Sequence, residues 1–415
     1  MIEFPAKVVV MGLGEFGGGV GVTKWLIKEG AQVCVTDLQD EKALEASIQE
    51  IGQHPNLRYS LGGHIEHDFI DIDCVVVNPS VPMSKRNPFL EIAKQSGATL
   101  TTEICLLIEQ LSRSQVIGVT GSAGKSTTAS MIHAAFEQSG ITSWLGGNIG
   151  GSLLNELCNI DSNDVVILEL SSAMLWWLDQ HNGGWSPHVS VLTNVSPNHI
   201  DWHGSLDEYE RCKQVIFKHQ TAEDIAILEC GDEQVSALNV IGRHNETNAR
   251  YALMASLAFG VDKDVAMRGI QSFKGLPHRL QQVNAWAVND SKSTTPEATQ
   301  NAVDAFEHPD RLHLIVGGYD KKVDLTLLAS QSNKVACMYA IGETRHQIAE
   351  LSGENCEVFK TLYEAVAKAM MEMQSEDTLL LSPGCASWDQ FKNYEERGTQ
   401  FIKQVQSSKS TPRVN

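Results

Sequence analysis

The sequence predicts an α/β protein built on three open, mostly parallel sheets, and three observations support this class. The chain has 415 residues, which at about 150 residues per domain indicates two or three domains. Short apolar, β-branched segments alternate with helix-length segments along almost the whole chain. These segments are continuously apolar rather than alternating, as expected of strands in parallel sheets that are covered on both faces.

The predicted strands fall into three groups along the chain. They are KVVVM (7–11), QVCVTD (32–37) and DCVVVN (73–78); then VIGVTG (116–121), DVVILEL (164–170), HVSVLTN (188–194) and EDIAILE (223–229); then HLIVGG (313–318), VACMYAIG (335–342) and TLLLSPG (378–384). A predicted helix at 103–115 separates the first two groups, and Gly and Pro in FKGLPHRL at 273–280 separate the last two. We therefore expect domains at 1–110, 111–277 and 278–415.

The charge balance excludes one class of partner. With 32 Lys and Arg residues against 51 Asp and Glu residues, the net charge is -19 at pH 7, so the chain repels a nucleic-acid backbone. No apolar segment approaches the ~20 residues of a membrane span, and the N terminus shows no signal-peptide pattern. The nine cysteines form no CxxC pair. We expect a cytoplasmic protein with reduced thiols that binds neither nucleic acid nor membrane.

The strongest local motif is a phosphate-binding loop. A predicted strand ends at Thr120 and runs through Gly121-Ser122-Ala123-Gly124 into Lys125-Ser126-Thr127 and a helix. Glycines let successive backbone N–H groups point at phosphate oxygens, and the helix N-terminus adds partial positive charge. Lys125 would reach the β- and γ-phosphates, and the Ser126 hydroxyl would bind Mg²⁺. Although Val119 replaces the usual first glycine, the strand–turn–helix context predicts binding of a nucleoside triphosphate.

A second glycine pattern, Gly12-Leu13-Gly14-Glu15-Phe16-Gly17, follows the first predicted strand, and Asp37 ends the second. This is the spacing of a dinucleotide-binding turn in which the acid would hold a ribose. Glycines that pack a helix against a strand explain the pattern equally well. A nicotinamide dehydrogenase would depend on this segment alone and would leave the phosphate loop unexplained.

Candidate metal ligands follow the strands of the second group. Glu169 ends one strand, and His199 and Asp201 follow the next. Because the carboxyl ends of parallel strands meet at one edge of a sheet, Glu169, His199 and the Ser126 hydroxyl are expected around a Mg²⁺ that bridges the phosphates. Taken singly, His199 is better explained as a turn histidine bonded to backbone. Lys213 lies on a predicted helix capped by Ser205. Considered by itself, this lysine is better explained as a solvated helix residue.

Several separated segments, taken in order, resemble the Mur ligase family. They are TGSAGKST, LELSS, NVSPNHID, the helix with Lys213, GRHNETNA, GLPHRL, NDSKSTTPEA, GGYDKK and LSPGCASWDQFKNYEERG. The resemblance covers essentially the whole chain. The last segment resembles most closely the branch of the family that adds glutamate to UDP-N-acetylmuramoyl-L-alanine.

The resemblance implies a fold and an activity. The fold would comprise a Rossmann-like N-terminal domain for the uridine nucleotide, a P-loop ATPase-like central domain and a Rossmann-like C-terminal domain for the amino acid. The activity would be an ATP-dependent amide ligation of peptidoglycan precursor synthesis, carried out in the cytoplasm by a monomer. An acyl phosphate would form on UDP-N-acetylmuramoyl-L-alanine before coupling with D-glutamate. A sister ligase for L-glutamate or another amino acid, a folylpolyglutamate-type ligase and a catalytically inactive nucleotide sensor stay open.

The resemblance also implies a role for each site residue. Lys125, Glu169, His199 and Lys213 would be catalytic, and Ser126, Glu169, His199 and a carbamylated Lys213 would surround Mg²⁺. Besides the phosphate loop, ATP would contact His244, Asn248, Arg279 and Asp290. The amino acid would contact Lys292, Thr294, Lys321, Ser387 and Tyr394. The UDP-linked substrate would contact Gly14, Asp37 and Asn148.

Some segments depart from the family pattern. At the expected uridine site these are Glu15-Phe16, Leu38-Gln39 and Asn78-Pro79-Ser80. At the expected amino-acid site they are Trp388 and Tyr394, which replace the more familiar Leu and Phe. The resemblance therefore implies an altered uridine pocket and leaves the choice between D- and L-glutamate open.

Overall fold

The computed structural model of the chain describes residues 6–14, 17–82, 86–196 and 199–407, apart from the side chain of Asp201. Glu15 and Phe16, which depart from the family pattern, lie outside the described residues. The chain divides into two compact units, Met1–Val235 with Asn248–Ile270 and Ser236–Thr247 with Gln271–Asn415. Each described helix is too short or too polar to cross a bilayer.

The first unit contains a five-stranded parallel sheet near its N terminus. Its strands are β1 (Lys7–Met11), β2 (Gln32–Asp37), β3 (Leu57–Leu61), β4 (Cys74–Val77) and β5 (Thr99–Thr101), in the order β3-β2-β1-β4-β5. Its helices are α1 (Gly18–Lys28), α2 (Glu45–Ile51), α3 (Pro88–Gln95) and α4 (Glu103–Gln110). The strand order reverses beside β1, as in Rossmann-like sheets. The prediction of a Rossmann-like N-terminal sheet is confirmed.

The same unit contains a second five-stranded parallel sheet. Its strands are β6 (Val116–Thr120), β7 (Ser143–Gly147), β8 (Val165–Glu169), β9 (Val189–Leu192) and β10 (Ile225–Ile227), in the order β10-β9-β6-β8-β7. The helices that follow are α5 (Lys125–Ser139), α6 (Ser172–Gln180), α7 (Ile200–His203), α8 (Leu206–Lys218), α9 (His244–Ala258) and α10 (Lys263–Ser272). The first turn of α9, up to Thr247, and the last two residues of α10 belong to the second unit. Strands β6 and β8 are buried along their whole length, which explains their continuous apolar sequence.

The second unit contains a six-stranded mixed sheet. Its strands are β11 (Gln281–Asn284), β12 (Ala287–Asn289), β13 (Leu312–Gly317), β14 (Cys337–Ile341), β15 (Cys356–Val358) and β16 (Thr378–Leu381), in the order β11-β12-β16-β13-β14-β15. Its helices are α11 (Pro296–Asp304), α12 (Thr326–Ala329), α13 (Arg345–Ser352), α14 (Leu362–Glu372) and α15 (Tyr394–Ser407). Only the pair β11–β12 is antiparallel within this described sheet.

Short 3₁₀ turns connect several of these elements. They lie at Glu66–Phe69, Arg113–Gln115, Leu153–Asn159, His181–Gly183, Pro309–Arg311, Ser330–Asn333 and Gly353–Asn355. The predicted helix at 103–115 thus ends at Gln110 and continues, after a break, as the turn Arg113–Gln115. Each of the three sheets falls within one of the predicted ranges 1–110, 111–277 and 278–415, and the division into three domains stays a prediction.

The strand order brings the predicted site segments to two sheet edges. In the second sheet β6 lies between β8 and β9, so the segments after these three strands meet at one carboxyl edge. These segments carry the phosphate loop, Glu169 and His199. In the third sheet β16 lies between β12 and β13, and the segments that follow them carry Lys292, Ser387 and Lys321.

Candidate active site

The loop between β6 and α5 has a backbone shape that requires glycine at two positions. Gly121 has φ +152° and Gly124, the N-cap of α5, has φ +84°. A Cβ atom at Gly121 would lie 1.9 Å from Thr193 Oγ1, and one at Gly124 would lie 2.3 Å from Asn248 Oδ1. Because a glycine N-cap has no side-chain acceptor, the first N–H groups of α5 are available to an anion.

Residues that follow β9 hold this loop in place. Thr193 Oγ1 donates to the Ala123 carbonyl at 2.7 Å, and Asn194 Nδ2 donates to the same oxygen at 3.0 Å. Asn194 Oδ1 accepts from the Ala123 N–H at 3.0 Å, and its carbonyl accepts from the Ser122 N–H at 2.9 Å. Neither Thr193 nor Asn194 was predicted from the sequence as a site residue. Their position at the end of HVSVLTN was the available signal, because the neighbouring strand ends in the phosphate loop.

The two predicted catalytic lysines meet at one backbone oxygen. Lys125 Nζ donates to the Gly121 carbonyl at 2.9 Å and to the Ser122 carbonyl at 3.2 Å. Lys213 Nζ donates to the same Gly121 carbonyl at 2.8 Å. The structure therefore brings both amines to the phosphate loop.

Lys213 is buried, with 1% of its surface exposed. The interpretation of this lysine as a solvated helix residue is therefore wrong. Its Nζ lies 4.7 Å from the centre of the Tyr209 ring, and the Tyr209 hydroxyl hydrogen-bonds with Ser122 Oγ at 2.8 Å. Burial first, and then the nearby charge of Lys125, lower the pKa of Lys213 to about 7. At neutral pH a large fraction of this amine is uncharged. Tyr209, for which no role was predicted from the sequence, thus supports the loop.

Glu169 presents a buried carboxylate at the end of β8, with 2% of its surface exposed. Its Oε1 accepts from Asn148 Nδ2 at 3.1 Å, while its buried Oε2 has no hydrogen-bond partner among the described residues. An unpaired buried carboxylate oxygen is costly, and such an atom is typical of a site that takes a cation. Asn148, predicted to face the UDP-linked substrate, is thus fixed beside Glu169 by its side chain.

His199 is the N-cap residue of the short helix α7 and has a left-handed backbone conformation, with φ +51°. A non-glycine residue in this region is strained, and such strain is concentrated at functional sites. The ring of His199 lies 6.4 Å from the ring of Tyr209, which also contacts Lys213. His203 Nε2 hydrogen-bonds with Ser172 Oγ at 2.9 Å, which fastens α7 to the segment that follows Glu169.

Gly14 and Asp37, two of the residues predicted to contact the UDP-linked substrate, lie where strands β1 and β2 of the first sheet end. Asp37 Oδ2 accepts from the Leu13 N–H at 2.8 Å, and its Oδ1 accepts from the Gln39 N–H at 2.9 Å. The carboxylate therefore joins the turns after β1 and β2. Gly14 has φ +70°, and a Cβ atom there would lie 2.7 Å from Asn78 Nδ2. Asn78, which departs from the family pattern, also donates to the Gly12 carbonyl at 3.2 Å.

The predicted nucleotide residues are divided between the units. Asn248 belongs to the first unit, where its Oδ1 lies 3.5 Å from Thr128 Oγ1, while His244, Arg279 and Asp290 belong to the second. Asp290 is buried and accepts from the Leu280 N–H at 3.1 Å and from Ser382 Oγ at 2.7 Å. Burial raises the pKa of Asp290 to about 6. Its carboxylate thus links the GLPHRL segment to the end of β16.

Each predicted amino-acid-binding lysine lies over an aromatic ring. Lys292 Nζ is 3.9 Å from the centre of the Tyr394 ring, and Lys321 Nζ is 5.1 Å from the centre of the Trp388 ring. Burial lowers the pKa of Lys292. Trp388 is 58% exposed, whereas Ser387 beside it is buried. Thr294 is half-buried in the segment that follows Lys292.

Three family models match successive parts of the chain. The Mur ligase MurD-like N-terminal domain matches residues 6–102, the Mur ligase middle domain matches 119–250, and the Mur ligase glutamate ligase domain matches 278–385. Together they cover the three sheets, apart from the first residues of β6, and nearly all of the predicted site residues.

Similar proteins match over nearly the full chain. The UDP-N-acetylmuramoylalanine–D-glutamate ligase of Alkaliphilus oremlandii is 31% identical, and the match covers 92% of this chain and 94% of the relative. The enzyme of the same name from a Roseiflexus species is 31% identical over 97% of this chain and 98% of the relative. Among solved structures, the UDP-N-acetylmuramate-alanine ligase of Thermotoga maritima shares the fold, with a TM-score of 0.61, 17% identity, and coverage of 97% and 100% of the two chains.

Proposed function

This chain belongs to the Mur ligase family, and we propose that it is an ATP-dependent ligase that joins D-glutamate to UDP-N-acetylmuramoyl-L-alanine. The matched relatives bear the name of this activity and extend over nearly the whole chain. The observation that carries the proposal is the convergence of Lys125 and Lys213 on the Gly121 carbonyl, in a loop whose glycines tolerate no side chain. The proposal places the reaction in the cytoplasm, as a step of peptidoglycan precursor synthesis.

The phosphate loop would hold ATP through its backbone N–H groups and Lys125. In the structure the Lys125 amine donates hydrogen bonds to two loop carbonyls. It would exchange them for the β- and γ-phosphates, where a fixed positive charge stabilises the charge that develops during phosphoryl transfer. The alanyl carboxylate oxygen would attack the γ-phosphorus, and the bond to the β-phosphate oxygen would break, giving an acyl phosphate and ADP.

The residues around Glu169 fit a magnesium ion. The buried Oε2 of Glu169 lacks a hydrogen-bond partner among the described residues, and the Ser126 hydroxyl stands in the first turn of α5. Oxygen donors of this kind are those that Mg²⁺ prefers, and His199 would complete the set. When bound, Mg²⁺ would neutralise phosphate charge. Residues Ser126, Glu169, His199 and Lys213 would hold it in place.

Lys213 would act there as a carbamate. Its uncharged Nζ would add to the carbon of CO₂, forming an N–C bond and releasing one proton. The product is an anionic, carboxylate-like group, which suits a position beside Mg²⁺ and Lys125, whereas an ammonium ion would be repelled from both. Burial of Lys213 and its lowered pKa support this modification.

Side chains of the second unit would recognise the amino acid. Its two carboxylates need cationic and hydroxyl donors, which Lys292, Thr294, Lys321 and Ser387 would supply, while Tyr394 would contact its carbon chain. The glutamate amine would attack the carbonyl of the acyl phosphate, releasing inorganic phosphate and a proton. The substrate class follows from the names of the relatives and from these side chains together.

The experiment that tests this function is ADP formation with purified protein, ATP, Mg²⁺ and UDP-N-acetylmuramoyl-L-alanine. We expect turnover that depends on D-glutamate and gives the amide product by mass spectrometry. Turnover with L-glutamate in place of D-glutamate would favour the sister ligase instead. The exposed Trp388 at the amino-acid site is the specific feature that makes this second candidate worth testing. No ADP formation with either enantiomer would reject both.

A further inference from the structure

We propose that Arg397 is a positioning residue for the amino-acid site, because its buried guanidinium group holds together the segments that carry Lys292 and Ser387. The inference rests on the proposed function of these segments. Arg397 lies on α15 within the FKNYEERG part of the last family-like segment, and no role was predicted for it from the sequence.

Three hydrogen bonds connect Arg397 to two different segments. Its Nε donates to Ser291 Oγ at 3.0 Å and its Nη2 donates to the Ser291 carbonyl at 2.9 Å. Its Nη1 donates to the Cys385 carbonyl at 3.1 Å. Ser291 directly precedes Lys292, and Cys385 lies two residues before Ser387. One planar group therefore joins the segments that follow the neighbouring strands β12 and β16.

The segment after β13 packs against the same structure. A Cβ atom at Gly318 would lie 2.2 Å from the Ala386 carbonyl oxygen and 3.3 Å from Arg397 Nη1. The Tyr319 N–H donates to the Ala386 carbonyl at 2.9 Å. Since Lys321 follows two residues later, the segment after β13 packs beside the guanidinium group that binds the segments after β12 and β16.

The aromatic partner of Lys292 belongs to the same network. Ser291 Oγ accepts from Arg397 and donates to the Tyr394 carbonyl at 2.8 Å. Tyr394 places its ring 3.9 Å from Lys292 Nζ. A shift of the guanidinium group would thus displace both members of this pair.

The electrostatics of Arg397 indicate a role other than stability. The side chain is 1% exposed, and none of the described carboxylates forms an ion pair with it. Burial lowers the pKa of Arg397 to about 10, so the group stays cationic at neutral pH. A buried charge whose hydrogen bonds go only to hydroxyl and carbonyl oxygens is costly to the fold, although the Asp389 carboxylate attracts it from a longer distance. The same positive charge, which no ion pair with a described carboxylate neutralises, favours an anionic ligand at the neighbouring segments, as the two carboxylates of glutamate require.

Of the two basic side chains arginine and lysine, only arginine has N–H groups placed to donate to Ser291 Oγ and to the Ser291 and Cys385 carbonyls at the same time. Its planar fork reaches acceptors on both sides at once, whereas a lysine ammonium group is a point charge at the end of a flexible chain. Arg397→Lys therefore keeps the charge and removes the fixed spacing, while Arg397→Met removes both.

The test compares steady-state kinetics of Arg397→Lys with those of wild type while one substrate at a time is varied. We expect the KM for glutamate to rise by about tenfold or more, because misplacement of a binding group by about 1 Å has large effects. The KM for the UDP-linked substrate should stay within about twofold, since its expected contacts Gly14, Asp37 and Asn148 belong to the first unit. The KM for ATP should rise less than the KM for glutamate, because among the expected ATP contacts only Asp290 adjoins Ser291. Arg311→Lys serves as the matched control, because Arg311 pairs with Glu376 on the surface of the same unit, and it should leave all three values unchanged.

Ser291→Ala is a second, milder variant for the case in which Arg397→Lys does not fold. It removes the hydroxyl that joins Arg397 to Tyr394 and should raise the KM for glutamate in the same direction by a smaller factor. A folded Arg397→Lys with a wild-type KM for glutamate would overturn the proposal. A uniform rise of all three KM values would also overturn it, as would a Ser291→Ala variant with unchanged kinetics if the first variant is insoluble.

Hydrogen–deuterium exchange separates this inference from the proposed function. Residues 290–294 and 384–388 should exchange faster in Arg397→Lys than in wild type, whatever substrate the protein uses. Wild-type protein without glutamate-dependent turnover would defeat the proposed function and leave this comparison intact. Unchanged exchange in both segments would overturn the positioning role.

Discussion

Lys125 and Lys213 donate hydrogen bonds to the same acceptor, the carbonyl oxygen of Gly121, at 2.9 and 2.8 Å. The positive charge of Lys125 adds to burial in lowering the pKa of Lys213 to about 7. The arrangement is relieved by phosphate binding at Lys125, by loss of a proton from Lys213, or by conversion of Lys213 to an anion. The first of these changes accompanies ATP binding in the proposed activity, and the other two accompany the proposed carbamylation of Lys213.

Replacing Lys125 tests the phosphate role of the loop. Lys125→Ala removes the charge aimed at the transferring phosphoryl group and should lower kcat by about two orders of magnitude or more, as loss of one preorganised contact does elsewhere. Lys263→Ala, which removes an exposed lysine paired with Glu233 in the same unit, should leave kcat within about twofold. The measurement is ADP formation at saturating substrates. Wild-type kcat in Lys125→Ala would contradict the role given to this amine.

Modification of Lys213 is open to direct observation. With ¹³C-labelled bicarbonate, wild-type protein should show a carbamate carbon resonance that Lys213→Arg lacks. Because only the uncharged amine reacts, the initial rate of carbamate formation at a fixed CO₂ concentration should rise as the pH increases through about 7, the pKa of Lys213. An active preparation without a carbamate signal would show that Lys213 acts as a free amine.

Glu169→Gln tests the magnesium site. The substitution keeps an acceptor for Asn148 and removes the charge from the buried oxygen that lacks a partner among the described residues. Activity should then require at least about tenfold more Mg²⁺, since removal of one anionic ligand weakens the site. Glu210→Gln on the exposed surface of α8 is the control. A magnesium titration that is identical in Glu169→Gln and wild type would remove Glu169 from the ligand set.

The raised pKa of Asp290 predicts that the free energy of unfolding depends on pH. Its folded pKa is raised from 3.8 to about 6, so its contribution to stability is fully present below pH 3.8 and is lost as the pH rises through 6. Relative to Asp290→Asn, wild type should lose up to about 3 kcal/mol of unfolding free energy between pH 4 and 7. Denaturant titrations of both proteins across this range provide the measurement. A difference that does not change with pH would show that burial does not shift this carboxyl.

Much of the fold could be predicted from the sequence because its central strands are buried on both faces. Strands β1, β2, β6 and β8 have continuous apolar sequences and were predicted within one or two residues. Strands β3 and β5 lie at sheet edges and are partly exposed, so LRYSL and TLT lack the apolar signal. The antiparallel pair β11–β12 was missed for the same reason, because its first strand, QQVN, is polar.

The members of the candidate site that could be predicted from the sequence are those whose residue type by itself indicates a chemical role. Lys125, Glu169 and His199 follow strands at a single sheet edge, and strand order could be anticipated from the parallel architecture. Burial of Lys213 could not be anticipated, because its helix has the sequence pattern of an ordinary amphipathic helix capped by Ser205. Arg397 and Thr193 act through backbone oxygens of distant segments, and no local sequence pattern reports such contacts.

Transfer of oxygen from substrate to phosphate tests the central claim most directly. UDP-N-acetylmuramoyl-L-alanine labelled with ¹⁸O in its carboxylate should, with ATP and D-glutamate, yield inorganic phosphate that carries one ¹⁸O atom per turnover. This result requires that the carboxylate attack the γ-phosphorus and that the acyl phosphate then be cleaved by the amine. Amide product accompanied by unlabelled phosphate would contradict activation of the carboxylate by phosphoryl transfer at the loop that holds Lys125.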